Sequence, residues 1–312
     1  MLSKIISLLQ SFFPSSKPDY NKALIYFEKK NFIAVMKHLI PLATDGNIKA
    51  QFLIGCIYED LEKNNGEAHR WYLVAANNGH VGAQTRLGTA YIKSNLVPND
   101  YKKAIKWLKL AIEKGDLTSH YNLGRLYLNG QGVKENIDEA LRLLKIASKE
   151  LPEAQNEVGE IFHHHKFDFK SAYKWYKKSA DNYILAKHNL AILYYYGMGV
   201  KKNYNEAFKY FSLSANDGLL DSTFYLAKLH EKGQGAFLDL ILSYKWYYVC
   251  FNYLKSNDAK IAMDRLSNYL NKNDINKAQK KANEYIKYLM KMENREINIK
   301  ENLNRFKRLD YI

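Results

Sequence analysis

Three adjacent histidines, His163, His164 and His165, are the residues of this chain best equipped for metal chemistry. A helical ligand pair needs the spacing i, i+4, which turns both rings to one side. Neighbours on a helix diverge by about 100°, so a run of three does not converge on one ion, and it reads as a polar helix end. Gly130-Gln131-Gly132, Gly197-Met198-Gly199 and Gly233-Gln234-Gly235 have the outline of phosphate loops. They lack both the preceding strand and the Lys-Ser/Thr such a loop requires, and their recurrence makes them turns. Cys56 and Cys250 have no partnered histidine in sequence and read as structural thiols. No G-x-S-x-G, triad signature or recurring carboxylate pair is present. Catalytic, metal and cofactor-binding residues are therefore assigned to none, and the chain reads as a non-enzyme.

The elements that position these residues emerge from a repeat, which is the first thing to seek in a chain of this length. A small residue precedes a Leu-Gly-x-x-Tyr-like group six times: Ala50 before Ile54-Gly55 and Tyr58, Ala83 before Leu87-Gly88 and Tyr91, Ser119 before Leu123-Gly124 and Tyr127. The series continues with Ala154 before Val158-Gly159 and Phe162, Ala186 before Leu190-Ala191 and Tyr194, and Ser222 before Leu226-Ala227 and His230. A second ladder interleaves with it. Ala68, Ala104, Ala140, Ala172, Ala207 and Ser243 each stand three residues before Trp71, Trp107, Leu143, Trp175, Tyr210 and Trp246, so all four tryptophans share one rung. Steps of three and four residues place each set on one stripe of a helix. Small residues on one helix facing large ones on the next interlock as a close-packed interior requires. Gly79, Gly115 and Gly218 end the second helices and the Gly-x-Gly turns end the first, where a left-handed residue is wanted. One such hairpin cannot bury its stripe alone, but stacked hairpins can. With a degenerate unit over about residues 20–49, the spacing predicts seven antiparallel helix pairs.

These residues resemble the Sel-1-like repeat family of the tetratricopeptide superfamily, whose pattern is A-x-x-x-L-G-x-x-Y-x-x-G-x-G-V followed by K-A-x-x-W-Y-x-x-A-A-x-x-G. Residues 119–133 read SHYNLGRLYLNGQGV and residues 67–79 read EAHRWYLVAANNG. The match departs from the pattern at 60–66, where the Gly-x-Gly turn is missing, and at 163–170, where the turn is His-rich. The resemblance implies an all-α right-handed superhelical solenoid with N- and C-terminal capping helices. It implies an adaptor or scaffold that holds a partner protein in its concave groove, with no cofactor. Some bacterial members serve pathogenesis, envelope regulation or immunity against secreted antibacterial enzymes, so an immunity protein that inhibits an effector enzyme is the most concrete form. By analogy with the family, the first helix of each pair lines the groove. The lining places then fall on Phe52, Tyr121, Arg125, Asn129, Asn156, Glu160, His163, His188, Tyr195, Tyr196, Phe224 and Lys228.

The composition agrees with a folded, disulfide-independent protein. The 312 residues are 47% hydrophobic and 25% charged, which excludes wholesale disorder. Two cysteines make no disulfide framework, and no run of 18 apolar residues marks a membrane span. The net charge of +15 goes with an Asn-, Ile-, Tyr- and Phe-rich composition and no basic-plus-aromatic motif, which weighs against a nucleic-acid partner. Residues 1–19 form an amphipathic cap through Ile5, Leu8 and Phe12, or alternatively a weak signal-like segment. The first reading places the chain in the cytoplasm, the second in the periplasm or outside. The solenoid runs over 20–253. Residues 254–312 are a basic helical cap, with Ile286, Leu289, Met290 and Ile297 on its apolar side. The alternative for that segment is a docking tail for an acidic partner, a membrane or nucleic acid.

Overall fold

The computed structural model describes residues 17–29, 31–60 and 63–307, with side chains to residue 291. The capping or signal-like stretch at the N-terminus lies, up to residue 16, outside the described residues. Among the described residues there are sixteen α-helices and no strand. The first seven pairs are α1 (Tyr20–Glu28) with α2 (Phe32–Thr44), α3 (Ile48–Asp60) with α4 (Asn65–Asn77), and α5 (Val81–Lys93) with α6 (Tyr101–Ile112). Then come α7 (Leu117–Leu128) with α8 (Ile137–Ala147), α9 (Pro152–Glu160) with α10 (Phe169–Ser179), α11 (Ile184–Tyr196) with α12 (Tyr204–Asn216), and α13 (Asp221–Lys232) with α14 (Leu240–Leu254). Two further helices follow, α15 (Asn257–Leu266) and α16 (Lys272–Lys307). None is long and apolar enough to cross a membrane among the residues described. The chain forms two compact units, one running to Leu143 and the other spanning Leu144–Lys307.

Short polar residues start the helices. Asp19, Asn31, Asn64, Asp100, Asp116, Asp168, Asn203, Asp239 and Ser256 each accept a backbone N–H of the first turn, which satisfies a donor the helix leaves open. Inside each pair, a small residue of the first helix receives a large residue of the second. A Cβ at Gly55 would lie 2.6 Å from the ring of Tyr72, one at Gly88 2.6 Å from Leu108, and one at Gly159 2.6 Å from the ring of Tyr176. Tyr72, Leu108 and Tyr176 are fully buried as a result.

The turns within pairs come in two lengths. Three of the long ones carry two left-handed glycines, Gly130 and Gly132, Gly197 and Gly199, Gly233 and Gly235, while the long turn after α5 begins with a left-handed Ser94 and has no glycine. The first glycine ends the helix, as the sequence pattern predicts. The second does something else: it lies against the start of the second helix of the preceding pair. A Cβ at Gly132 would overlap Tyr101, one at Gly199 the Phe169 carbonyl, and one at Gly235 the Tyr204 carbonyl. In the two short turns, Lys63 and Phe167 supply the left-handed residue instead.

In the second unit, α16 covers the last pair. Ala282 and Ile286 pack with Val249 of α14, Ala278 joins the neighbouring cluster, and Tyr285 donates to the Ala215 carbonyl at 2.7 Å. The packed stripe is thus Ala278, Ala282, Ile286 and Leu289. Met290 lies off it and is exposed, because it falls about 100° round the helix from Leu289. The side chain of Ile297 is outside the described residues.

Candidate functional site

The second unit sets three first helices side by side. Asn189 of α11 donates to Asn156 of α9 at 3.1 Å and to Glu160 at 3.3 Å, while Asn156 donates to Glu160 at 2.8 Å. Across the next seam, His188 Nδ1 lies 2.8 Å from Ser222 Oγ of α13, and Ser222 meets Ser214 at 2.5 Å. Burial pushes the His188 imidazole below its ordinary pKa, against the pull of Asp221. The neutral ring suits a site shared with two hydroxyls.

Beyond this polar seam lies a cluster of rings. Tyr195 packs edge-on against Tyr196, Tyr204 and Tyr225, at 4.9, 5.5 and 5.4 Å between ring centres, and Tyr225 stacks on Phe211 at 4.6 Å. Burial, and then the hydrogen bond with Tyr196, push the Tyr225 hydroxyl far above its ordinary pKa. Tyr196 is the open member, with 51% of its surface exposed. Lys228 holds its ammonium 4.6 Å from the centre of the Phe224 ring, an attractive cation–π placement. In the first unit, the guanidinium of Arg125 lies 5.7 Å from the Tyr121 ring. Arg125 and Asn129 are exposed and Tyr121 is half-buried.

The structure removes two of the expected contact residues from the surface. Phe52 is 2% exposed, stacked on His80 at 4.2 Å and packed against Tyr72. Asn156 is equally buried and acts by orienting Glu160 and Asn189. Two residues the family positions did not include, Asn189 and Tyr225, join the seam and the ring cluster. Both stand two before the small residue of their repeat, on the flank shared with the neighbouring first helix.

The histidine run forms a π-helical turn, Ile161–His165, that continues α9. His163 and His164 stack flat on each other at 4.2 Å, and the Tyr176 hydroxyl lies 3.4 Å from His163 Nδ1. Burial and the neighbouring His164 lower the His163 pKa. Among the described residues, no group of three histidine, cysteine or acidic side chains is placed to hold a metal.

That tyrosine belongs to a recurring device. Tyr72 donates to Glu59 at 2.6 Å, and Tyr247 to Glu231 at 2.9 Å. In all three cases the partner stands four residues after the small residue of the first helix. Each glutamate then faces an arginine on the helix that follows the pair, Arg86 at 3.7 Å from Glu59 and Arg265 beside Glu231. The device fixes the second helix to the first and the first to its successor. Tyr247→Phe keeps the packing and leaves Glu231 short of a donor, so it is expected to lower unfolding free energy by about 1–2 kcal/mol, read from urea denaturation.

An all-α array of stacked helix hairpins with small residues at every crossing defines a repeat solenoid. The chain belongs to the Sel1 repeat family, which matches residues 12–29, 48–80, 81–116, 118–150, 152–183, 184–219 and 220–248. Among solved structures it is similar to a protective antigen of uropathogenic Escherichia coli strains, with a TM-score of 0.75 and 20% identity over 92% of this chain and 60% of that one. The chain thus spans less than two thirds of that protein's length. It is also similar to a Sel1 repeat protein of Oxalobacter formigenes, with a TM-score of 0.57 and 25% identity over 64% of this chain and 83% of that one. An immunity protein of Pseudomonas aeruginosa aligns with a TM-score of 0.43 and 22% identity over 72% of this chain and 88% of that one. No curated protein matches the chain. The Sel1 repeat fold is typical of protein–protein interaction.

Proposed function

We propose that this chain is a non-enzymatic binding protein that holds a partner protein against the first-helix face of its repeats. In the second unit the anchor is the ring cluster of Tyr195, Tyr196 and Tyr225. The observation that carries this reading is Tyr196, half-exposed on a rigid helix and braced by two other tyrosines. A ring held in place before binding loses little conformational freedom on contact, and tyrosine and arginine dominate binding hot spots. Around it stand Lys228 on Phe224 and the Glu160–Asn156–Asn189 seam, fixed charges of both signs that set register and exclude wrong partners. Tyr121 with Arg125 offers the first unit a smaller pair of the same kind.

In its most concrete form the partner is an effector enzyme that the chain inhibits, a role the family resemblance alone suggests. Affinity capture from the native host, with wild type beside a Tyr196→Ala/Lys228→Ala variant, tests the reading. A stoichiometric protein recovered by wild type should lose affinity by about 2 kcal/mol or more in the variant, with unchanged circular dichroism. A partner bound equally well by both rejects this face. Assaying the recovered partner with and without the chain separates inhibition from tethering.

A further inference from the structure

The three turns within pairs of the second unit are fixed to their first helices in one way. In each, the residue that caps the second helix donates its N–H to a carbonyl at the end of the first. Asp168 donates to Phe162 at 2.9 Å, Asn203 to Tyr194 at 3.0 Å and Asp239 to His230 at 3.1 Å. The two residues before each cap therefore occupy equivalent places. They are Lys166-Phe167, Lys201-Lys202 and Phe237-Leu238. The turns also follow one another in a row, because Gly199 lies against Phe169 at the start of α10 and Gly235 against Tyr204 at the start of α12. One edge of the unit thus carries these six side chains, all of them exposed.

The six combine apolar bulk with positive charge. Phe167 is 70% exposed, Phe237 94% and Leu238 65%, and the other three are lysines. No acid is among them. The nearest carboxylates, Asp168 and Asp239, accept the N–H groups of Ser171 and Leu242 and so serve the helix ends, while Glu206 pairs with Lys209. Lys170 and Lys232, both exposed, add charge of the same sign beside the turns. The matching places of the first unit hold Pro98-Asn99 and Lys134-Glu135, so the turn itself does not demand this pattern.

Apolar side chains that enter the headgroup layer, with lysines that meet the lipid phosphates, are what holds a protein on an anionic bilayer. A protein hot spot is instead one contiguous patch sealed from water by its rim, whereas here the lysines of the middle turn stand between Phe167 and Phe237. We propose that this edge docks the second unit on an anionic membrane surface, with Phe167, Phe237 and Leu238 as the anchors. The lysines of the edge supply the attraction to the headgroups. The backbone bonds of the turns hold the anchors out before contact, so docking demands little further ordering. None of the six residues belongs to the first-helix face, so either reading can fail without the other.

The test is co-sedimentation of the full chain with vesicles of mixed phosphatidylcholine and phosphatidylserine, beside phosphatidylcholine alone. Wild type should sediment with the mixed vesicles only, and added salt should weaken the binding. Phe237→Ser with Leu238→Ser should bind about tenfold more weakly. Phe167→Asn, a residue type that accepts the left-handed φ of +53° at this place, should lose about fivefold. Each lysine at such a surface contributes about fivefold, so Lys201→Gln with Lys202→Gln should bind about twentyfold more weakly. Lys277→Gln with Lys280→Gln removes the same charge from exposed places on α16 and should cost less than about threefold. Wild type that stays in solution with the mixed vesicles overturns the proposal, as does equal binding to both kinds of vesicle. Wild-type affinity in both apolar variants, with unchanged circular dichroism, overturns the anchors. Equal losses from the two lysine pairs would show attraction by net charge alone and overturn this edge as the site.

Discussion

Replacing Gly199 by alanine is expected to destabilise the second unit by about 2–5 kcal/mol. Two effects add. Gly199 has φ of +67°, where a side chain costs about 1–2 kcal/mol. The new methyl would also fall onto the Phe169 carbonyl and the Lys170 nitrogen. Backbone at the start of a helix cannot yield as a flexible side chain does, and overpacking of this kind costs a further 1–3 kcal/mol or so. Gly46→Ala separates the two. Its φ is +90°, but nothing lies within 4 Å of the added Cβ, so only the conformational cost of about 1–2 kcal/mol remains. Urea denaturation of both variants checks the contrast, and equal losses would show that the turn yields freely.

Acid should weaken the first unit well before its carboxylates titrate. His80 caps α5 by accepting the Ala83 N–H at 3.2 Å and stacks on Phe52. Burial, then Lys114 and Lys49, lower its pKa from 6.5 to about 4. The folded state holds the neutral ring, whereas the unfolded chain takes up a proton on acidification. Stability is therefore complete above about pH 6.5 and falls as the pH drops from there to about 4. A fully shielded group would lose about 3 kcal/mol over that window. With part of the ring in water, about 1–2 kcal/mol is expected. His38 and His69 of the same unit are also lowered, chiefly by burial, and add in the same direction. His80→Asn retains a capping oxygen without the titration. Its urea midpoint should fall less steeply with pH than wild type, and parallel slopes would remove His80 as a cause.

The hairpins were legible because their signal is local. Ala83, Leu87 and Tyr91 lie on one helix stripe, and Trp107 follows Ala104 by a fixed step, so periodicity alone exposes each pair. What escaped depends on neighbours in space. The second glycine of each turn serves a helix that ends before the turn's own repeat begins, and no spacing within the repeat reveals it. Phe52 stands at a groove position by family analogy, yet His80, at the start of the following repeat, folds over its ring and buries it. The link from Tyr72 to Glu59 could have been found: acids at 59 and 231 stand four after the small residue wherever a tyrosine faces it from the second helix, save in the repeat that uses His163.

The glycine contacts also bear on how such an array diversifies. Gly199 and Gly235 touch main-chain atoms of the preceding hairpin, and every residue type presents the same main chain. A joint of this kind recognises position and ignores identity. A hairpin duplicated by recombination would find its seat beside almost any neighbour, with no matched set of side chains to inherit. The outward residues of the first helices would then be free to drift toward a new partner while the spacing of the array held.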